Sequence, residues 1–163
     1  MVSKRYTMKV CGMFIPHDRG LTNVELHSYA RKLKIQHFRG IFMRDTIPSK
    51  VKPIECDIVN FNMSDQTGSH WVCYFTNGST TERIYFDSFG QVTLDEIQKY
   101  LKTPLEYRMG ESVIQRNTDI LQHTNTHVCG HLCLLVLTLL TREHHSFECV
   151  LDRLRNGFAQ GYW

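Results

Sequence analysis

The stretch Gln122–Leu140, QHTNTHVCGHLCLLVLTLL, decides the fold. It begins polar, with Gln122, His123, Thr124, Asn125, Thr126 and His127. It passes through Val128, Cys129 and Gly130, and after His131 it is almost wholly apolar to Leu140. This pattern predicts a polar loop feeding a buried core helix, because the apolar run is shorter than the ~20 residues a bilayer span needs. A helix N-terminus carries partial positive charge and backbone N–H groups without partners in the helix. A thiol there is stabilised as the attacking thiolate, and the same N–H groups can receive an oxyanion. Gly130, lacking a side chain, lets a substrate backbone approach Cys129. Cys129 is therefore the candidate nucleophile. Two other readings compete with it: a thiol that merely packs, and zinc held by His123, His127, Cys129, His131 and Cys133. The spacing is poor for zinc, since it has no paired Cys-x2-Cys knuckle.

Working outward, 163 residues suit a single domain, 1–163, with a real core. Hydrophobic content of 42% and charged content of 21% are those of an ordinary soluble protein. A net charge of +3 is too small to argue for nucleic acid by itself. The N-terminal MVSKRYTMKVCGMFIP has no continuous apolar segment, so no secretory signal is expected. Six cysteines lie scattered at 11, 56, 73, 129, 133 and 149, which reads as reduced thiols in a cytosolic or nuclear compartment.

Residues 1–20 are mixed and suggest no element. Thr22 with Glu25 makes a capping-box pattern that predicts a helix to about residue 34, with Leu26, Tyr29, Ala30 and Leu33 on one face. Arg31, Lys32 and Lys34 form its polar side, next in sequence to Arg39 and Arg44. They are either a solvated face or a surface for DNA. Phe38–Phe42 reads as a short strand or turn, and the two prolines of Ile47–Pro53 as a loop. Cys56–Phe61, His70–Phe75 and Arg83–Asp87 read as strands, the last two joined through Asn77-Gly78 as a hairpin. A short helix from Thr93 to about Lys102, stopped by Pro104, a strand over Ser112–Arg116 and an amphipathic helix over Phe147–Phe158 complete the chain.

A thiol nucleophile needs a base, the base an orienter, and the oxyanion its donors. His70 begins one strand of the hairpin and Asp87 ends the other, so the two side chains can meet at one rim of the sheet. His70 then serves as general base and Asp87 holds its tautomer. Gln122 donates its amide to the oxyanion beside the Cys129 N–H. Each has a plainer reading: a structural histidine beside Trp71, a turn aspartate, a solvated loop glutamine.

The blocks GSHW (68–71), YFDSFG (85–90) and LQ-x6-CGHLCLL (121–135) resemble the adenovirus-type cysteine endopeptidase (adenain) family. They resemble still more its relatives in polinton/maverick-like elements and small DNA viruses, within the wider SUMO-protease-like clan. The likeness covers about residues 35–140 and keeps the family's chain order of His, acid, Gln, Cys. Asp87 stands where the adenovirus enzymes have glutamate, though aspartate is usual in the wider clan. The resemblance implies an α+β, adenain-like (permuted papain-like) cysteine protease, its central helix packed on a mixed or antiparallel sheet. It implies catalytic His70, Asp87, Gln122 and Cys129, with Trp71 and Gly130 binding substrate and no metal. It further implies cleavage of viral structural precursor polypeptides at small or glycine-containing motifs during virion maturation. The setting would be the virion and the host nucleus or cytoplasm, with no membrane. No cofactor is required for the chemistry, and an activating viral peptide and DNA stay open as partners. The rival readings are a ubiquitin-like-modifier isopeptidase with the same triad, and a non-catalytic zinc- or DNA-binding module.

Overall fold

The computed structural model describes residues 7–66, 69–102 and 114–163. Gly68, Pro104 and the start of the strand expected at Ser112–Arg116 lie outside the described residues. The first element is one that the sequence did not announce. β1 (Thr7–Val10) and β2 (Met13–Pro16) form an antiparallel hairpin around the two residues Cys11 and Gly12, at φ 44° and 90°. Two-residue hairpin loops need this left-handed backbone, which Asn-Gly or Asp-Gly usually supplies. Cysteine in the first position hides the signal.

Helix α1 (Asn23–Lys32) starts on the expected capping box. Thr22 Oγ1 accepts the Glu25 N–H at 3.2 Å, and Glu25 Oε1 accepts the Thr22 N–H at 3.1 Å. It ends two residues before the expected point, and Lys34 turns the chain with φ 54°. Leu26, Ala30 and Leu33 are buried, as the face pattern predicts.

Five strands make the main sheet, in the order β3 (Phe38–Met43), β4 (Ile54–Asn60), β5 (Trp71–Asn77), β6 (Glu82–Phe86) and β7 (Gln115–Arg116). The two inner pairings are antiparallel and the two outer ones parallel, so the sheet is mixed. Side chains alternate across it. Trp71, Cys73 and Phe75 join the larger core, and Val72 and Tyr74 the smaller core on the other face. α2 (Asp95–Leu101) packs Ile97 and Leu101 into the smaller core.

The larger core is built around α3 (Cys129–Leu137), all nine of whose residues are buried. A helix apolar on every side must be covered on every side. It touches β1, β4, β5 and α1, and continues into a π-helical turn, Thr138–Arg142, which meets α4 (Phe147–Ala159). Thr138 and Thr141 return their hydroxyls to the carbonyls of Leu134 and Leu137, each at 2.7 Å, so neither is left unpaired in the core. α4 begins on Ser146, whose hydroxyl accepts the Cys149 N–H at 3.2 Å, and buries Val150, Leu151 and Leu154. No helix among the described residues is long and apolar enough to cross a membrane.

The smaller core holds a polar cluster. Glu55 and Asp57, two apart on β4 and both buried, share the Tyr74 hydroxyl. Arg39 donates to Glu55 Oε2 at 3.1 Å and to the Tyr100 hydroxyl at 2.8 Å. Arg44 is held by Glu96 at 2.9 Å. Both arginines are thus engaged in ion pairs. Burial pushes the Asp57 carboxyl up to about 8, with the Tyr74 hydrogen bond opposing it and Glu55 adding to it. Unfolded aspartate, with a pKa of about 3.9, has already lost that proton in between. The native state thus binds the extra proton, and stability falls as pH rises from about 4 through about 8. Asp57→Asn is neutral at every pH and should flatten this slope in denaturant melts taken across that window. A slope the same as that of the unsubstituted protein would contradict it.

Candidate active site

The hairpin places its two polar rim residues together. His70 immediately precedes β5, where its carbonyl accepts the Phe61 N–H at 2.8 Å and extends the ladder with β4 by one step. Asp87 immediately follows β6. His70 Nε2 lies 2.7 Å from Asp87 Oδ1, which also accepts the Phe89 N–H at 2.8 Å. The ring stands between Phe61 and Phe89, with centroids 6.1 and 4.9 Å away. Burial works against an imidazolium here. The hydrogen bonds to Asp87 and to Cys129 nevertheless raise His70 to about 9. At neutral pH the ring is charged. With Nε2 occupied by Asp87, Nδ1 is the nitrogen left for the thiol.

Cys129 is the first residue of α3, as the polar-to-apolar junction predicts. Val128 before it gives no side-chain cap, so the first N–H groups keep their capacity to donate. Cys129 is 7% exposed and lines a cleft. Cys133, one turn on, is fully buried against Cys73, and burial pushes its thiol well up. Cys56 is likewise raised by burial. Cys149 is the exposed thiol among the described residues.

Gln122 is 2% exposed, so the solvated-loop reading is replaced by a buried one. Its Nε2 donates to the Thr126 carbonyl at 3.0 Å, and its Oε1 accepts from Ser88 Oγ at 2.7 Å. The loop is tied to the residues after β6 at several points. Asn117, 2% exposed, accepts the Asp87 N–H on Oδ1 at 3.1 Å and donates from Nδ2 to the Asp87 carbonyl at 2.5 Å. The Leu121 N–H reaches the Ser88 carbonyl at 2.8 Å. Gly90, at φ 65°, packs so closely that a Cβ would stand 2.6 Å from the Thr118 and Asp119 carbonyl oxygens. Only glycine fits there.

The cleft has a volume of about 770 Å³. One wall is Gly20–Asn23, the other Ile41–Met43, Asn60 and Ser69, with His70, Trp71, Gln122 and Cys129 between them. Arg19 braces the first wall by pairing with Glu25 at 2.7 Å, which holds that carboxyl down at about 2. No Asp, Glu, Lys or Arg lines the cleft among the described residues. Trp71 is 8% exposed and donates its indole N–H to the Leu21 carbonyl at 2.9 Å, so it joins the sheet to that wall. At Gly130 an added Cβ would meet Leu26 at 3.1 Å and Trp71 at 3.3 Å, so the missing side chain also serves packing.

The histidines and cysteines that suggested zinc are not brought together. His131 is buried with Nε2 on the Pro16 carbonyl at 2.6 Å, and His123 stacks on Phe158 with centroids 4.5 Å apart. No group of three or more His, Cys, Asp or Glu suited to a metal occurs among the described residues. Sequence reasoning missed Ser88 and Asn117. Nothing in Asp-Ser-Phe-Gly or Arg-Asn-Thr marks these two as contacts of residues thirty or more positions away in the chain.

A family model described as adenovirus endoprotease matches residues 38–154. Among solved structures, the chain is similar to the SUMO protease Ulp1 with its catalytic cysteine oxidized to a sulfinic acid. The identity is 10% and the TM-score 0.47, over 89% of this chain and 80% of that one. It is similar also to Ulp1 with that cysteine oxidized to a sulfenic acid, at 12% identity and TM-score 0.44, over 97% and 88%. No curated protein matches by sequence.

Proposed function

We infer the function from one premise: the chain belongs to the adenovirus endoprotease family and is a cysteine-type endopeptidase with that family's α+β, permuted papain-like fold. Its substrates are polypeptides, and its chemistry requires no cofactor. The observation that carries the assignment of roles is the single imidazole of His70. It lies 2.7 Å from Asp87 Oδ1 and is raised also by the Cys129 thiol, and His70 and Cys129 both line an open cleft.

In the proposed mechanism, Cys129 attacks the scissile carbonyl as thiolate. The oxyanion takes hydrogen bonds from the Cys129 N–H and from the Gln122 Nε2 hydrogen not used by Thr126. His70 passes its proton to the leaving amine, and the C–N bond breaks to leave a thioester. Neutral His70 then takes a proton from water as the water adds to the thioester, and collapse expels the thiolate. Asp87 fixes the ring and favours its charged form.

The proposed substrates are viral structural precursors cut at small or glycine-containing motifs during virion maturation, in the virion and the host nucleus or cytoplasm. A cleft with no Asp, Glu, Lys or Arg among its described lining residues supports this, because an ionised substrate side chain would find little beyond His70 to pair with there. A viral peptide and DNA are proposed as activators on the family premise, DNA through Arg31, Lys32 and Lys34.

Two measurements test this reading. Peptides with a Gly-containing site should be cleaved in preference to a ubiquitin-like–aminomethylcoumarin substrate, and the reverse preference would make the protein an isopeptidase. Brief iodoacetamide treatment should modify Cys129 ahead of the exposed Cys149, because a thiol at a helix N-terminus beside an imidazolium is activated as a nucleophile. Peptide mapping that finds Cys149 modified first would remove Cys129 as the nucleophile.

A further inference from the structure

We propose that Ser88 is a positioning residue for the reaction: its hydroxyl sets which way the Gln122 amide faces and holds it there. The proposal rests on the reading of Gln122 as the oxyanion donor.

A glutamine amide has one end that only accepts and one that only donates. The Thr126 carbonyl, 3.0 Å from one end, can only accept, so that end must be Nε2. The other end is then Oε1, and the hydroxyl 2.7 Å from it must donate. Ser88 is completely buried, and its hydroxyl has Gln122 as its partner. With one Nε2 hydrogen on Thr126 and Oε1 capped by Ser88, the amide plane is fixed at both ends. Its second Nε2 hydrogen is left with one direction. A donor to Oε1 also polarises the amide and strengthens the N–H bonds it gives.

The backbone of Ser88 is itself held. The Asn117 side chain bonds both the backbone N–H and the backbone carbonyl of Asp87, and the Leu121 N–H holds the Ser88 carbonyl. Consecutive residues at the end of β6 thus serve the two halves of the proposed chemistry. Asp87 sets the imidazole and Ser88 sets the amide. Loss of the Ser88 hydroxyl would leave Oε1 as a buried acceptor without a donor, and the amide would turn or tilt to find one.

The test is a double-mutant cycle on the full chain with a cleavable peptide, together with melting curves. Ser88→Ala should lower kcat about tenfold and leave KM within about twofold, because the oxyanion forms only after substrate is bound. Iodoacetamide alkylation of Cys129 should be unchanged. In a Gln122→Ala background, Ser88→Ala should cost less than about twofold, since no amide remains to be held. Ser88→Thr, which keeps the hydroxyl, should retain more kcat than Ser88→Cys, and this pair replaces Ser88→Ala if that variant melts below the assay temperature. A kcat loss of equal size in both backgrounds would overturn the proposal, as it would make Ser88 a merely structural residue. So would a kcat unchanged in Ser88→Ala while Gln122→Ala is impaired. A silent Gln122→Ala would instead refute the donor role beneath it, and leave the cysteine–histidine chemistry to be judged by the labelling experiment.

Discussion

His70→Ala is expected to remove nearly all turnover while the protein remains folded. General acid–base catalysis contributes about 10²–10⁴-fold on its own, and the charged His70 ring is also the cation proposed to stand beside the Cys129 thiolate. Both the proton donor for the leaving amine and the cation beside the nucleophile go with it. Asp87→Asn should be milder. An asparagine still meets the ring at the Asp87 position but brings no negative charge. A thiolate–imidazolium pair activates itself in part, so its orienter matters less than the aspartate of a serine protease does. What Asp87→Asn should change most is the pH profile. Burial lowers the pKa of the His70 imidazolium, and Asp87 is the first of the influences that lift it to about 9. Without that charge the alkaline limb of kcat/KM should move to lower pH. The same pairing is linked to stability. A histidine raised above its unfolded value of about 6.5 stabilises the fold fully below that pH, and the contribution disappears as pH rises through about 9. An Asp87→Asn protein as inactive as His70→Ala, or one with its alkaline limb in place, would give the carboxylate a role beyond orientation and charge.

The parts of this molecule legible in the sequence are those fixed by local rules. The junction at Cys129 was readable because a change from polar to apolar over a few residues marks a helix entering a core. The meeting of His70 and Asp87 was readable because an antiparallel hairpin brings the start of one strand to the end of the next: past Cys73 and Phe86 the register sets Asp87 opposite Val72, two residues from His70 and on the same face, and the two side chains meet diagonally. Thr22 with Glu25 announced α1 because both bonds of the capping box lie within three residues. What stayed hidden depends on pairings between distant segments. The parallel join of β3 to β4 has no local signature, and neither does the parallel join of β7 to β6, although the strand itself was expected. The Cys11-Gly12 turn escaped because cysteine seldom takes a positive φ. The packing at Gly130 was not legible, because a missing side chain can face a ligand or a core and the sequence does not say which. Gln122 illustrates the same limit from the other side. Its polar neighbours suggest a solvated loop, and only the return of the chain past Ser88 buries it.

Gln122→Ala is expected to cost about 10²–10³ in kcat, the usual loss on removing one oxyanion donor. The amide gives one Nε2 hydrogen to Thr126 and keeps one for the oxygen of the tetrahedral intermediate. That oxygen is fully anionic only after attack, so the loss should fall on kcat and leave KM nearly unchanged. The Cys129 N–H remains at the uncapped start of α3, and some turnover should survive. Alkylation by iodoacetamide passes through no oxyanion, so its rate at Cys129 reports the thiol and the imidazole without the amide. The pair of assays separates two roles that burial alone would confuse. Gln122 also holds the loop, through the Thr126 carbonyl and the Ser88 hydroxyl. If that bracing is its main contribution, Cys129 should shift with the loop, and alkylation should fall together with turnover. If the donor role dominates, turnover falls by the stated factor while alkylation holds. A folded Gln122→Ala protein with near-normal kcat would take Gln122 out of the site. The oxyanion would then rest on the backbone of α3 alone.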